Sequence, residues 1–171
     1  MKERVEPWLR GTLPDVDAVR RAILHALELA AEDIAKWCDG LNGEEMEARP
    51  SGLPSVGFQV RHIARSLDRL LTYADGQRLT ERQLKLLKTE EEFVDREATL
   101  MEFAEAIEVS TKRVLAFSEK SYDQPRVVGR KKLPTTVGGL LVHCADHTQR
   151  HVGQAITTAK VVMAMRAGSG Q

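Results

Sequence analysis

Three of the chain's five histidines fall in one stretch, His143, His147 and His151, each four residues after the last. On a helix, residues four apart share a face, one turn above the other. His147 and His151 can therefore aim two imidazoles at one point. That is how a helix grips a divalent metal in an H-E-x-x-H site. Leu140, Leu141 and Cys144 lead into the stretch, and Ala155, Val162 and Met165 follow it, so the histidines read as interrupting an apolar stripe. An unpaired buried polar group costs about 1–3 kcal/mol, so imidazoles on such a stripe need a partner. A metal is one; a hydrogen-bonded histidine layer without metal is the alternative. Cys144, one turn before His147, reads first as a small buried apolar side chain and otherwise as a fourth ligand or a reactive thiol.

The elements that must position these groups are helices. Asp15 or Asp17 caps the first, whose stripe is Val16, Val19, Ile23, Leu27, Ala30, Ile34 and Trp37, with Gly40 as its stop. His25 falls on the opposite face and reads as exposed or at an edge. Residues 41–54 read as a loop, and Ser55 caps a second helix carrying Val56, Val60, Ile63, Leu67, Leu70 and Ala74 up to Gly76. His62 lies about 100–120° from the centre of that stripe, beside Gln59 and Ser66; alone it reads as a boundary histidine. Thr80 to Gln83 can cap a short helix through Leu84 and Leu87. Glu90-Glu91-Glu92 and Asp95-Arg96-Glu97 read as a solvated connection, long enough to run the length of a bundle. Thr99 to Glu102 matches a capping box. It opens a third helix with Leu100, Phe103, Ile107, Val114 and Phe117 on its stripe and Ser110 and Thr111 within it, fraying near Ser121. Two short extended pieces flank Gly129. The basic run Arg126, Arg130, Lys131 and Lys132 reads as an ordinary loop or as a contact for an anionic substrate or partner. Pro134 with Thr135 or Thr136 opens the fourth helix, which reaches about Met165.

These patterns predict an all-α four-helix bundle with a long crossover connection between its second and third helices. A single domain over 1–171 is expected, with a lead-in over 1–14, where Trp8 and Leu9 pack on the body, and a loose tail over 167–171. Zero formal net charge argues against a general electrostatic grip on nucleic acid or an acidic membrane. The few aromatics argue against base stacking. No apolar run approaches the ~20 residues of a membrane span, and the start Met1-Lys2-Glu3-Arg4 leads into no signal-peptide core. Cys38 and Cys144 read as free thiols in a reducing cytoplasm.

Pro54-Ser55 with His62-Ile63-Ala64-Arg65-Ser66-Leu67-Asp68, and His147-x-x-x-His151-x-Gly153-Gln154, resemble the second-helix and C-terminal motifs of the DinB/YfiT-like superfamily. The resemblance covers nearly the whole chain in helix order and loop placement. It implies a divalent metal held by His62, His147 and His151, with His143 beside the ligands but not one of them. It also implies a homodimer, and a metal-dependent transferase acting on a small molecule with a low-molecular-weight thiol cosubstrate such as bacillithiol, mycothiol or glutathione. A metal-dependent hydrolase and a non-enzymatic, stress-associated metal-binding protein are the alternatives. One departure stands out: Val152 occupies the place of an arginine usual in that motif.

Three imidazoles would leave open positions of the kind catalytic metals keep. The reacting group would then be metal-bound water or a thiolate, with no protein nucleophile. Zinc and nickel suit imidazole best, and iron or manganese is compatible. Gln59, Ser66, His143, Cys144 and Gln154 are the candidates to support the ligands, whose outer N–H groups need acceptors. Asp146 reads more simply as a surface partner of Arg150, and Gly153 as a point of close helix contact.

Overall fold

The computed structural model describes residues 5–169. The expectations for Met1-Lys2-Glu3-Arg4 and Gly170-Gln171 lie outside the described residues. Six helices, α1 (Ala18–Cys38), α2 (Gly43–Glu47), α3 (Val56–Ala74), α4 (Glu81–Lys88), α5 (Arg96–Ala116) and α6 (Val137–Ser169), are joined by loops, three short 3-10 turns and one hairpin, β1 (Pro125–Val128) and β2 (Leu133–Thr136). The hairpin pairs antiparallel from Pro125 opposite Thr136 to Val128 opposite Leu133. Among the described residues the fold is thus all-α but for this hairpin. Among the described residues no helix is long and apolar enough to cross a membrane.

The four long helices close a ring in which α6 packs on α1 and α3, and α5 packs on the same two. Side-chain contacts give their directions. Arg61 reaches Thr99 and Arg65 reaches Glu102, while Arg113 reaches Asp75, so α3 and α5 run parallel. Gln149 donates to the Ala26 carbonyl and Arg166 to the Gly40 carbonyl, so α1 and α6 are also parallel. Gln59 meets His151 and His62 meets His147, so α3 and α6 are antiparallel. A parallel α3–α5 pair requires the chain to return along the bundle between them, and residues 75–95, with α4, do this.

The core is built from Ile23, Leu27 and Ile34 of α1, Val60, Ile63, Leu67 and Leu71 of α3, Phe103 and Val114 of α5, and Leu141, Cys144, Val152 and Ala159 of α6. Asp17 caps α1 through the backbone N–H groups of Val19 and Arg20, and Ser55 caps α3 through that of Phe58. Gly76 adopts φ +74° just past α3, the left-handed conformation that glycine supplies.

Several expectations give way. The loop over 41–54 contains α2, closed by a capping box between Asn42 and Glu45. The third long helix starts at Arg96, capped by Asp95, and Thr99 is a buried residue inside it rather than its cap. Pro134 belongs to β2, and Thr136 alone caps α6, accepting from the Gly139 N–H. That helix runs to Ser169, past the expected end. Trp8 and Leu9 are 61% and 58% exposed; Pro7 is the buried residue of that turn. His25 is buried, its Nε2 3.0 Å from the Thr12 hydroxyl, because the lead-in folds over that face of α1.

Candidate metal centre

His62 comes from α3, and His147 and His151 come from α6. Because these helices are antiparallel neighbours, the one-turn spacing on α6 brackets the single histidine on α3. The Nε2 atoms of His62 and His147 approach to 3.3 Å. The ring centroids of His151 lie 4.4 Å from those of both His62 and His147. One ligand atom from each residue falls within 4.8 Å of the other two. Nitrogen atoms about 2.0–2.1 Å from a tetrahedral ion lie about 3.3 Å apart, so the closest pair already has the spacing of two ligands on one zinc-like ion. These three residues could hold a metal ion.

Hydrogen bonds on the outer side of two of the rings, His62 and His151, leave the other nitrogen of each bare. His62 Nδ1 donates to Glu90 Oε2 at 2.7 Å. His151 Nδ1 donates to Gln59 Oε1 at 2.6 Å. A neutral imidazole carries one N–H, so with both Nδ1 protons committed outward the Nε2 lone pairs are left toward the centre. This is the outer arrangement that metal-binding histidines use. Burial, followed by the neighbouring imidazoles, pushes His147 down to about 4; burial, followed by His62 and Arg150, does the same for His151. Both are neutral near pH 7 and can act as ligands. The donor set fits a borderline divalent ion, as neutral imidazole suits zinc, nickel, iron or copper.

Glu90 is the residue that sequence reasoning missed. It lies in the return segment, inside the acidic run expected to be solvated, yet it is 6% exposed. Burial would raise its pKa, but hydrogen bonds from His62 and from Arg69 at 2.6 Å outweigh this and hold it below the usual carboxylate range. A ladder of arginines one turn apart on α3 brings it there. Arg61 donates to the Glu90 carbonyl, Arg65 to the carbonyls of Leu86 and Thr89, and Arg69 to the Glu90 carboxylate. Arg61 has no exposed surface and is paired with Glu47 of α2 at 2.5 Å. Gly57, one turn before it, has no room for a Cβ, which would collide with the Glu47 carboxylate. The spacing Arg61, Arg65, Arg69 was readable as a one-sided basic face; its acidic partners were not.

The remaining candidates are placed as follows. Ser66 Oγ lies 3.4 Å from His62 Nε2 and accepts from Arg69. Phe58 stacks on the His62 ring at 5.5 Å. His143 pairs with Asp146 at 2.8 Å and rests its ring edge-on against His147, outside the cluster. Asp146 also reaches Arg150, the expected surface partner. Gln154 is exposed beside His151, and its side chain acts to raise the His151 pKa against the effect of burial. Cys144 is fully buried in the core, its thiol pushed up to about 12 by burial, and it is not among the gathered ligand atoms. Gly153 faces open space, so it permits no close helix contact. The buried stripe of α6 does not pass through the histidines: Cys144, Thr148, Val152, Ala155 and Ala159 carry it, with Thr148 a polar member. The two imidazoles flank it. That edge position is what leaves them half-buried and reachable.

A search of curated proteins finds no match to the chain. The family model of the DinB superfamily matches residues 26–155, which include His62, Glu90, His147 and His151. Helical architecture, clustered histidines and this match agree, and the chain belongs to the DinB superfamily.

Proposed function

We propose that the chain is a metal-dependent enzyme that transfers a low-molecular-weight thiol to a small electrophile, with His62, His147 and His151 holding one divalent ion, zinc or nickel. The observation that carries the reading is the pair of outward-committed Nδ1 protons, on Glu90 and Gln59, which leave bare nitrogens facing one another. A divalent ion held by three neutral imidazoles supplies Lewis acidity that lowers the pKa of a thiol or a water. The chain's own groups fix the rest. Glu90 and Gln59 lock two ring orientations, Arg69 keeps Glu90 charged, and Phe58 packs on one side of His62. Cys144, buried in the core, leaves the three imidazoles as the ligand set, as in catalytic rather than closed structural sites.

In the proposed transfer the thiol sulfur forms a bond to carbon, the leaving group departs from that carbon, and the thiol proton passes to solvent. The reading extends to a homodimer in the cytoplasm, testable by sedimentation. The activity test follows thiol loss from bacillithiol, mycothiol or glutathione in the presence of an alkyl halide or an epoxide. Turnover that needs added metal and disappears in His62→Ala supports the reading. Turnover of an ester with no thiol requirement would replace it with a hydrolase, the alternative that the same open ligand set favours. Metal binding without either reaction would leave a non-enzymatic metal-binding protein.

A further inference from the structure

Away from the candidate metal centre, the hairpin and the end of α3 border an open cavity of about 800 Å³, within the range of small-molecule sites. From His62 to Tyr73, at the cavity's edge, α3 rises about 16 Å, so this space is separate from the candidate metal centre. Four cationic side chains line it, Arg78, Arg126, Arg130 and Lys132, and no carboxylate does.

Their charges are not neutralised locally. Arg126 is held rigidly, donating to the Ala74 carbonyl at 2.7 Å, to the Pro125 carbonyl at 2.9 Å and to Gln124 Oε1 at 3.2 Å. All three acceptors are neutral. Arg78, Arg130 and Lys132 form no side-chain ion pair among the described residues. This contrasts with Arg61, Arg65, Arg69 and Arg113, each of which reaches a carboxylate. The turn that carries Arg130 is tightly set, with Gly129 at φ +71° and Lys132 at φ +50°. The second value is unfavourable for a residue with a side chain, and such conformations cluster where a segment has a task. Beside the charges, Tyr73, Leu79 and Val127 supply an apolar wall.

We propose that this cavity binds a small organic phosphate. The dianionic head would lie among the guanidinium groups of Arg78, Arg126 and Arg130 and the Lys132 ammonium, and the apolar body against Tyr73, Leu79 and Val127. Guanidinium groups match phosphate oxygens with paired, charge-assisted hydrogen bonds. The apolar wall separates this ligand from inorganic phosphate.

The probe is phenyl phosphate, titrated into the full chain by calorimetry, with inorganic phosphate and phenol as its separate halves. Saturable one-site binding of phenyl phosphate, tighter than either half, is expected. Arg78→Ala and Arg130→Ala should each weaken it about tenfold, as loss of a charge-assisted contact does. Lys131→Ala removes the same charge from a neighbour that does not line the cavity and should weaken binding less than either arginine variant does. His147→Ala should leave it unchanged. Absence of saturable binding overturns the proposal, and so does equal weakening by Lys131→Ala, which would mean diffuse attraction. Loss of binding in His147→Ala would also overturn it, by moving the anion to the histidine centre.

Discussion

Glu90 accepts from His62 Nδ1 and thereby sets that ring's tautomer and orientation. Outer partners of this kind typically contribute 10–100-fold to metal affinity. Glu90→Ala should therefore weaken metal binding by about 10–100-fold, read by competition with a chromophoric chelator, while circular dichroism stays unchanged. Unaltered affinity in that variant would remove Glu90 from the site. The ligands themselves were more legible than this support. His147 and His151 announce themselves by spacing on one helix, and the resemblance singled out His62. Gln59 was readable as a neighbour of His62 on α3, although the structure gives it to His151 instead. Glu90 was not readable. Its role depends on a return segment whose path is fixed by contacts distant in sequence, and an acidic run looks the same whether solvated or buried.

At the scale of the elements, α3 carries both the histidine and the arginine ladder that anchors the crossover. Arg61 joins α2, the return segment and α5 through Glu47, the Glu90 carbonyl and Thr99. Removing one partner of a buried pair leaves the other charge uncompensated and costs about 3–5 kcal/mol. Arg61→Leu should therefore shift the urea midpoint downward by the equivalent of about 3–5 kcal/mol, and a loss below about 1 kcal/mol would mean the pair is no structural anchor. On α6 the opposite effect is expected. Thr148 is buried between Cys144 and Val152, and its hydroxyl has no hydrogen-bond partner among the described residues. Replacing it with the isosteric Val should raise stability by about 1–3 kcal/mol, measured the same way; destabilisation would reveal a partner for the hydroxyl. Helix spacing located the four long helices because each has one apolar face. It could not separate the stripe of α6 from its flank, since Thr148 looks polar in sequence and occupies the core in space.

Across the whole molecule, the end opposite the α2 turn is closed by Asp17. It caps α1, pairs with Arg20 and accepts from the Tyr122 hydroxyl at 2.6 Å, while Arg20 reaches the Phe117 carbonyl of the segment after α5. Burial alone would raise the Asp17 pKa, but these hydrogen bonds and the Arg20 charge lower it to about 2. A folded value below the unfolded one, about 3.9, stabilises the fold above that pH and is lost as pH falls toward about 2. The difference in urea midpoint between the parent chain and Asp17→Asn should be largest above pH 4 and shrink toward pH 2, whereas a constant difference would contradict the depressed pKa. The parallel α3–α5 pair and the return segment were legible as a long connection, but their consequence was not: the crossover brings the acid that orients His62. The fold thereby assembles one centre from α3, α6 and the segment between α3 and α5. The decisive measurement is elemental analysis of protein purified without a histidine tag, beside His62→Ala and His147→Ala. About one equivalent of divalent metal per chain, lost in both variants, is expected of a three-imidazole centre. A parent chain that carries none and takes up none on incubation with zinc, nickel, iron or manganese would contradict it.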